Sequence, residues 1–386
     1  MAVKAYKYRI YPKKATADKL QWVLDRCREL YNAALSERKD AWHMAHQSIG
    51  YYEQQHDLVE IKEIRPEYQE IASHVLQDVI ARIKKAFDNF FRRVKNGEKP
   101  GYPRFKGSKW YDSFTYPDKA GWKLDTCTRP PNKRGMVKAN LHRDLVGTIK
   151  TLTIKREGEH WYACFSCEGG KPNPLPISYE DVGIDLGITH FAALSNSEFI
   201  EYPRYYRRGQ KTLKTLQVAL SRKERGSHRR ARAVKRVARA HHTIRNQRRD
   251  FHHKASRALV NRYQVIVFED LQVKNLTRAP KPKQDEATGQ YLPNGAAAKA
   301  GLNKSILDAG WATFTERVSV KAASAGRTVV FVDPFKTSQK CSGCGKEGPH
   351  KDLAERVHRC PHCGLVLDRD INAAIVRRFG ACKILP

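Results

Sequence analysis

The sequence predicts an α+β protein of several domains, and three observations carry that expectation. The chain has 386 residues, enough for two or three domains of ordinary size. Its apolar pattern switches between the two-residue period of strands and the three- and four-residue steps of helices. Near the end, two Cys-x-x-Cys pairs mark a small module built around a metal.

Charge sets the class of partner. The chain carries 72 Lys and Arg against 40 Asp and Glu, a net charge of +32. An excess of that size calls for a polyanion, and nucleic acid is the default. A hydrophobic content of 40% supports real cores and excludes wholesale disorder. The opening MAVKAYKYRIYP has no apolar core of a signal peptide. No apolar run has the length of a membrane span, so no membrane partner is expected. Nine cysteines without an export signal point to thiols or metal ligands, not disulfides.

In chain order, Val3, Ala5, Tyr6 and Tyr8 alternate up to Pro12 and predict a strand over 3–11. From Thr16, a plausible N-cap, Leu20 through Leu35 recur with helical spacing. A second helix runs from Ile71 to Val94 and should stop at Asn96-Gly97. The run GYPRFKGSKWYDSFTYP then mixes rings with bases: Tyr102, Phe105, Trp110, Tyr111, Phe114 and Tyr116 beside Arg104, Lys106 and Lys109. Bases hold phosphates while rings stack on nucleobases, so Tyr102, Arg104, Phe105 and Lys106 are candidate nucleic-acid contacts. An aromatic-rich β wall with a solvated basic face reads the same way and is compatible with it. Residues 149–168 predict two strands around Gly158. Asp181 opens consecutive strands, VGIDLGITHFAALSNSEFIEYP.

Residues 204–257 hold nineteen Lys and Arg against Glu224 and Asp250, with a sparse apolar stripe. A helical pair this basic would repel itself without an anionic partner, so Arg229, Arg230, Lys235 and Arg236 are candidate phosphate contacts. VIVF at 265–268 reads as a buried strand, 276–300 as a flexible loop, 305–325 as one helix, and TVVFVD as a final strand.

Cys341-Ser-Gly-Cys344 and Cys360-Pro-His-Cys363 are 15 residues apart, a zinc-ribbon spacing, with Gly345 and Gly364 where each knuckle must turn. Four cysteines leave no position for water, so a single zinc ion held there would be structural. Cys164-Phe-Ser-Cys167 stands alone in a strand-like run and is not read as a site. Three acids sit at the edges of apolar elements: Asp185 in VGIDLGI, Glu269 ending VIVFE, and Asp370 before INAAIVRRF. Buried carboxylates are expensive unless paired or metal-bound. Three that converge can hold two Mg²⁺ ions about 4 Å apart for phosphodiester hydrolysis. GIDLGIT is also similar to the phosphate loop of actin-like ATPases, but the second acidic glycine loop and the adenosine loop of those proteins are missing.

The runs GYPRFK, VGIDLGITHFA, RRDFHHKASRALV, VIVFEDL, LDAGW, KTSQKCSGCG and CPHCGLVLDRDINAA span residues 101–374. In that order they resemble the TnpB family, insertion-sequence-encoded RNA-guided nucleases related to type V CRISPR effectors. The resemblance implies a small β-barrel (wedge) domain from 1–12 and 101–178, with a helical recognition domain inserted at 13–100. It implies an RNase H-like (RuvC) α/β nuclease domain over 179–340 and 364–386, with a zinc ribbon inserted at 341–363. It also implies a transposon-encoded guide RNA, a double-stranded DNA target beside a short flanking motif, and a prokaryotic, cytoplasmic, nucleoid-associated setting. The family's three metal carboxylates fall on Asp185, Glu269 and Asp370. Val376 departs from the family, which usually has Asn there. Two rivals are a guided DNA-binding regulator that does not cut and an accessory transposase protein.

Overall fold

The structure is a computed structural model that describes residues 3–119, 121–124, 137–169, 174–286, 288–335, 337, 339–349 and 355–381. The chain divides into two compact units, Met1–Lys171 and Pro172–Pro386.

In the first unit, strand β1 (Val3–Tyr11) buries Tyr6, Tyr8 and Ile10 on alternate positions, as expected. Helix α1 (Lys14–Ala45) starts earlier than the sequence suggested. The Ala17 N–H already donates to the Lys13 carbonyl, so Thr16 lies inside the first turn and does not cap it. Helix α2 (Tyr51–Ile64) and a short 3₁₀ turn lead to α3 (Ser73–Lys95), which stops at Asn96 with Gly97 left-handed. Strands β2 (Ser113–Tyr116), β3 (Lys138–Ala139), β4 (Thr148–Glu157) and β5 (His160–Glu168) complete an antiparallel sheet of order β2-β4-β5-β1-β3. The helices and sheet share one core that runs from Leu30 and Val79 to Phe114 and Phe165.

The barrel expectation needs correction: among the described residues this sheet is open. β2 and β3 are opposite edges that do not pair, and β3 meets β1 only at Ile10 and Tyr11. The link at 125–136 lies outside the described residues. Cys164 and Cys167 sit in β5 on alternate faces, one half-buried and one buried, so they do not form a knuckle.

The second unit is built on β6 (Asp181–Leu186), β7 (Ala192–Leu194) and β8 (Phe199–Ile200), an antiparallel meander. Two long helices follow, α4 (Tyr205–Ser221) and α5 (His228–Arg262). They return the chain to β9 (Val265–Glu269), which lies parallel to β6. Helix α6 (Val273–Leu276) leads into the region expected to be a flexible loop, which instead holds a short hairpin, β10 (Lys283–Gln284) with β11 (Tyr291–Leu292). Its Ala-rich end already begins α7 (Ala296–Ala309). The single helix expected at 305–325 is two, because Gly310 at φ +66° breaks α7 from α8 (Trp311–Ala325). β12 (Thr328–Val332) adds a third parallel strand. The order β12-β9-β6-β7-β8, with three antiparallel strands continued by two parallel ones, fits the expected RNase H-like core. Val182, Ile184, Ile266, Val267 and Phe268 are all buried, as strands covered on both faces require. The chain ends its described course with a small hairpin, β13 (Val357–Arg359) and β14 (Val366–Asp368), and helix α9 (Arg369–Ala381).

Candidate functional site

Parallel pairing places two acids side by side. Gly183 of β6 is level with Val267 of β9. Two residues further along both strands stand Asp185 and Glu269, so both carboxylates leave the same face at the same level. Helix α9 covers that face at unusually short range. A Cβ on Gly183 would come within 2.0 Å of the Ala374 carbonyl oxygen and 2.8 Å of the Arg378 nitrogen. Only glycine permits this backbone-to-backbone contact, which brings Asp370, in the first turn of α9, toward Asp185. Burial, then the charges of Asp185 and Asp368, push the Asp370 carboxyl above its ordinary value.

Between the strand acids lies a side chain that sequence reasoning missed. Arg377 is 2% exposed; its Nη1 is 2.5 Å from Asp185 Oδ1 and its Nη2 is 2.9 Å from Glu269 Oε2. Burial works against its charge, but the two carboxylates outweigh that and raise its pKa. Thr337 Oγ1 donates to the other oxygen, Glu269 Oε1, at 3.0 Å. Asp368 Oδ1 accepts the N–H groups of Asp370 (2.9 Å) and Ile371 (3.1 Å), the pairing of an N-cap, and so fixes the first turn of α9.

The donor set fits hard divalent cations, since it offers carboxylate oxygens alone and already draws a guanidinium between two of them. Among the described residues, only the four cysteines bring three or more ligand atoms within 4.8 Å of one another. The three acids are therefore spread more widely than one shared ion needs, a spacing compatible with two.

Cys341, Cys344, Cys360 and Cys363 do meet. Cys341 and Cys363 have their Sγ atoms 3.6 Å apart, as do Cys344 and Cys360. A zinc ion about 2.3 Å from each sulfur in a tetrahedron would set an edge of about 3.8 Å, so the group fits a zinc ribbon. Gly345 and Gly364 both take positive φ, at +72° and +71°, where each knuckle turns. Backbone N–H groups of Cys363 and His362 pull the Cys360 thiol down, while at Cys363 the Leu365 N–H is outweighed by the neighbouring sulfurs, which push that thiol up, as expected of crowded thiols that share protons. Asn372, fully buried, accepts the Ser342 N–H and donates to the Lys340 carbonyl, tying the first knuckle to α9. His350 to Ala354 of the ribbon lie outside the described residues.

The aromatic-basic run of the first unit divides. Tyr111 and Phe114 are buried as core, while Tyr102, Phe105 and Trp110 are exposed. Tyr102 packs edge-on against Phe87 and Phe90 of α3. The Lys106 backbone is clasped at both polar groups by the Asn32 side chain of α1. Lys106 also lines a cleft of about 290 Å³, together with Tyr31, Arg82, Lys85 and Trp110. Arg104 is exposed. On α5, Arg229, Lys235 and Arg236 are exposed. Arg230 is turned inward, and its Nη1 donates to the carbonyls of Leu220 (3.2 Å) and Lys223 (2.8 Å) at the end of α4.

An RNase H-like sheet with acids at neighbouring strand ends and a four-cysteine insert defines the class of the second unit. Residues 164–279 match the OrfB/IS605 family, described as a probable transposase. Residues 311–376 match the Cas12f1-like TNB domain, and residues 1–47 match a helix-turn-helix domain of the same OrfB/IS605 group. Over 96% of this chain and 90% of the relative, it is 30% identical to the "Putative RNA-guided DNA endonuclease InsQ" of Escherichia coli (strain K12). Over 96% of this chain and 87% of the relative, it is 32% identical to a protein of the same description, without the name InsQ, from Streptomyces pristinaespiralis. A solved structure of CasPhi-2 (Cas12j) bound to crRNA aligns at 10% identity and a TM-score of 0.47, over 99% of this chain and 98% of that one. The chain belongs to the TnpB family.

Proposed function

We propose that this chain is the RNA-guided DNA endonuclease of an insertion sequence, directed by a transposon-encoded guide RNA to double-stranded DNA beside a short flanking motif. The observation that carries the reading is that Asp185 and Glu269 stand level on one face of an RNase H-like sheet, with Asp370 in the first turn of the helix that covers that face. Family membership and the names of the full-length relatives support the same chemistry. On this reading the first unit supplies the recognition helices (13–100) and all of the wedge (1–12 and 101–178) but its last seven residues, which belong to the second unit. The second supplies the nuclease domain (179–340 and 364–386) with the ribbon at 341–363.

Base pairing with the guide would read the target, while the basic helices and exposed rings hold nucleic acid by backbone and stacking. Asp185, Glu269 and Asp370 would hold two Mg²⁺ ions, which supply an activated water and charge to stabilise the leaving oxygen. The rest is work for the chain's own residues. Thr337 orients Glu269, and Asp368 sets the first turn that presents Asp370. The Gly183 contact fixes how far α9 stands from β6. Cys341, Cys344, Cys360 and Cys363 would hold one structural zinc, and Asn372 transmits the order of that knuckle to α9.

Plasmid cleavage with guide RNA and Mg²⁺ tests this. Asp185→Ala, Glu269→Ala and Asp370→Ala should each lower the rate by at least about a thousandfold, with losses that do not add, because the acids act as one unit. Guided binding, read by gel shift, should survive. A variant that cuts at the wild-type rate removes its residue from the site. Binding without cleavage by the wild type would instead favour a guided regulator.

A further inference from the structure

Arg377 raises a question that the proposed chemistry does not answer. Adjacent strands are about 4.8 Å apart, so two ionised acids leaving one face at one level repel each other. Arg377 lies on the same face of α9 as Asp370, seven residues and two turns further on. Its guanidinium gives one nitrogen to each strand acid, at 2.5 and 2.9 Å. A third nitrogen, Nε, is buried with no hydrogen-bond partner. A buried cation with an unmet donor is expensive, so the two carboxylates, with a longer contact from Nη1 to the Ile184 carbonyl at 3.4 Å, are what hold it in place. The dependence is mutual: Asp185 and Glu269 share one positive partner, and any divalent ion approaching Asp185 Oδ1 or Glu269 Oε2 meets it there.

We infer that Arg377 is a built-in counter-cation. It holds Asp185 and Glu269 together in the metal-free protein and weakens the site's hold on divalent ions. This rests on the reading of the three acids as metal ligands. Arg377 is a positioning residue that acts through the two acids. A neutral side chain of similar length should leave the acids in mutual repulsion until a metal arrives. The metal-free protein should then be less stable and the metal bound more tightly. Lysine keeps the charge, though not the fork, and should stay near the wild type.

The test uses the full-length, zinc-loaded chain and Mn²⁺ as probe, followed by its electron paramagnetic resonance signal, with thermal melting in EDTA and in Mn²⁺ alongside. Arg377→Met should bind Mn²⁺ at least about tenfold more tightly than wild type and show a larger rise in melting temperature on adding it. Arg377→Lys should stay within about threefold of wild type, whereas a purely space-filling role would make the Met and Lys variants behave alike. Equal Mn²⁺ affinity in wild type and Arg377→Met overturns this inference and leaves the nuclease reading intact. No Mn²⁺ site in either protein overturns both. Should Arg377→Met fail to fold, Glu269→Gln/Arg377→Met removes the repulsion along with its counter-cation. Recovery of a folded, cooperatively melting protein supports the inference, and a double variant no more stable than the single one overturns it.

Discussion

Asp368 carries its effect through one oxygen. That oxygen accepts the N–H groups of the two residues that begin α9's inward face, so the Asp370 carboxylate is aimed by its neighbour. Asp368→Ala should cost about 1 kcal/mol through the lost cap. We expect it to slow guided cleavage several-fold, far less than Asp370→Ala. Asp368→Asn keeps the acceptor and should cut close to the wild-type rate. Parallel time courses of the three variants decide this, and an Asn variant as inactive as Asp370→Ala would mean that the Asp368 charge itself is needed. The three acids drew notice in the sequence because each lies within, at the end of, or just before an apolar run. Arg377 did not: in IVRRF it looks like the basic, solvated end of a helix. Its neighbour Arg378 does remain exposed while Arg377 is buried. What distinguishes them is the register of β6 on β9 beneath α9, a relation between segments about a hundred residues apart. Thr337 and Asn372 were missed for the same reason, since their partners are distant in sequence.

Helix α5 is fastened to the α7–α8 break by a histidine. His252, fully buried, donates from Nε2 to the Ala309 carbonyl at 2.8 Å, and its ring lies against Gly310. Burial lowers its pKa from 6.5 to about 4, against the smaller upward pull of that carbonyl. The unfolded chain therefore takes up a proton before the folded one does. The stability at stake is fully present above pH 6.5 and is lost as pH falls toward 4, by roughly 3 kcal/mol over the whole range. His252→Gln keeps a donor without the titration. Urea unfolding at pH 7.5 and pH 5 should show wild type losing about 2 kcal/mol more than the variant. Equal losses would mean that the ring is hydrated in the folded state. Helix existence was legible here from periodicity, but the break was not. LDAGW continues the helical spacing of its apolar residues straight through Gly310, and only the left-handed backbone there, packed on His252, separates the two helices. Likewise Pro and Gly in 276–300 read as loop, while AAAKAG within it is good helix sequence.

For the molecule as a whole, net charge announced nucleic acid, and the structure shows how the largest share of it is presented. At 35 residues α5 is about 52 Å long, a rod with few acids along it. Arg229 and Arg236 are seven apart and return to one face of that rod, whereas Arg230 braces the end of α4. Replacing Arg229, Lys235 and Arg236 with Gln should lower the salt slope of nucleic-acid binding by about two, at roughly 0.7–0.9 per phosphate contact. Affinity for matched and mismatched targets should fall alike, because pairing with the guide carries the sequence information. Titrations at several salt concentrations measure this, and an unchanged slope would make the three residues ordinary solvated charge. Arg230→Gln should act differently, loosening the α4–α5 turn without changing the slope. The sheet order was legible only in outline, since apolar runs show that strands exist and not which neighbour each takes.

That order also has a consequence in time. β6, β7 and β8 are consecutive and can pair as soon as they are made, but β6 waits for β9 and the face with Asp185 waits for α9. Asp185 and Asp370 are separated by 185 positions in the chain. At ordinary synthesis speeds of about 5–20 residues per second, roughly 10–40 s pass between them on the ribosome. Through that interval the nascent protein can own a folded sheet and its basic rod while the acids of the proposed cutting site have not yet met.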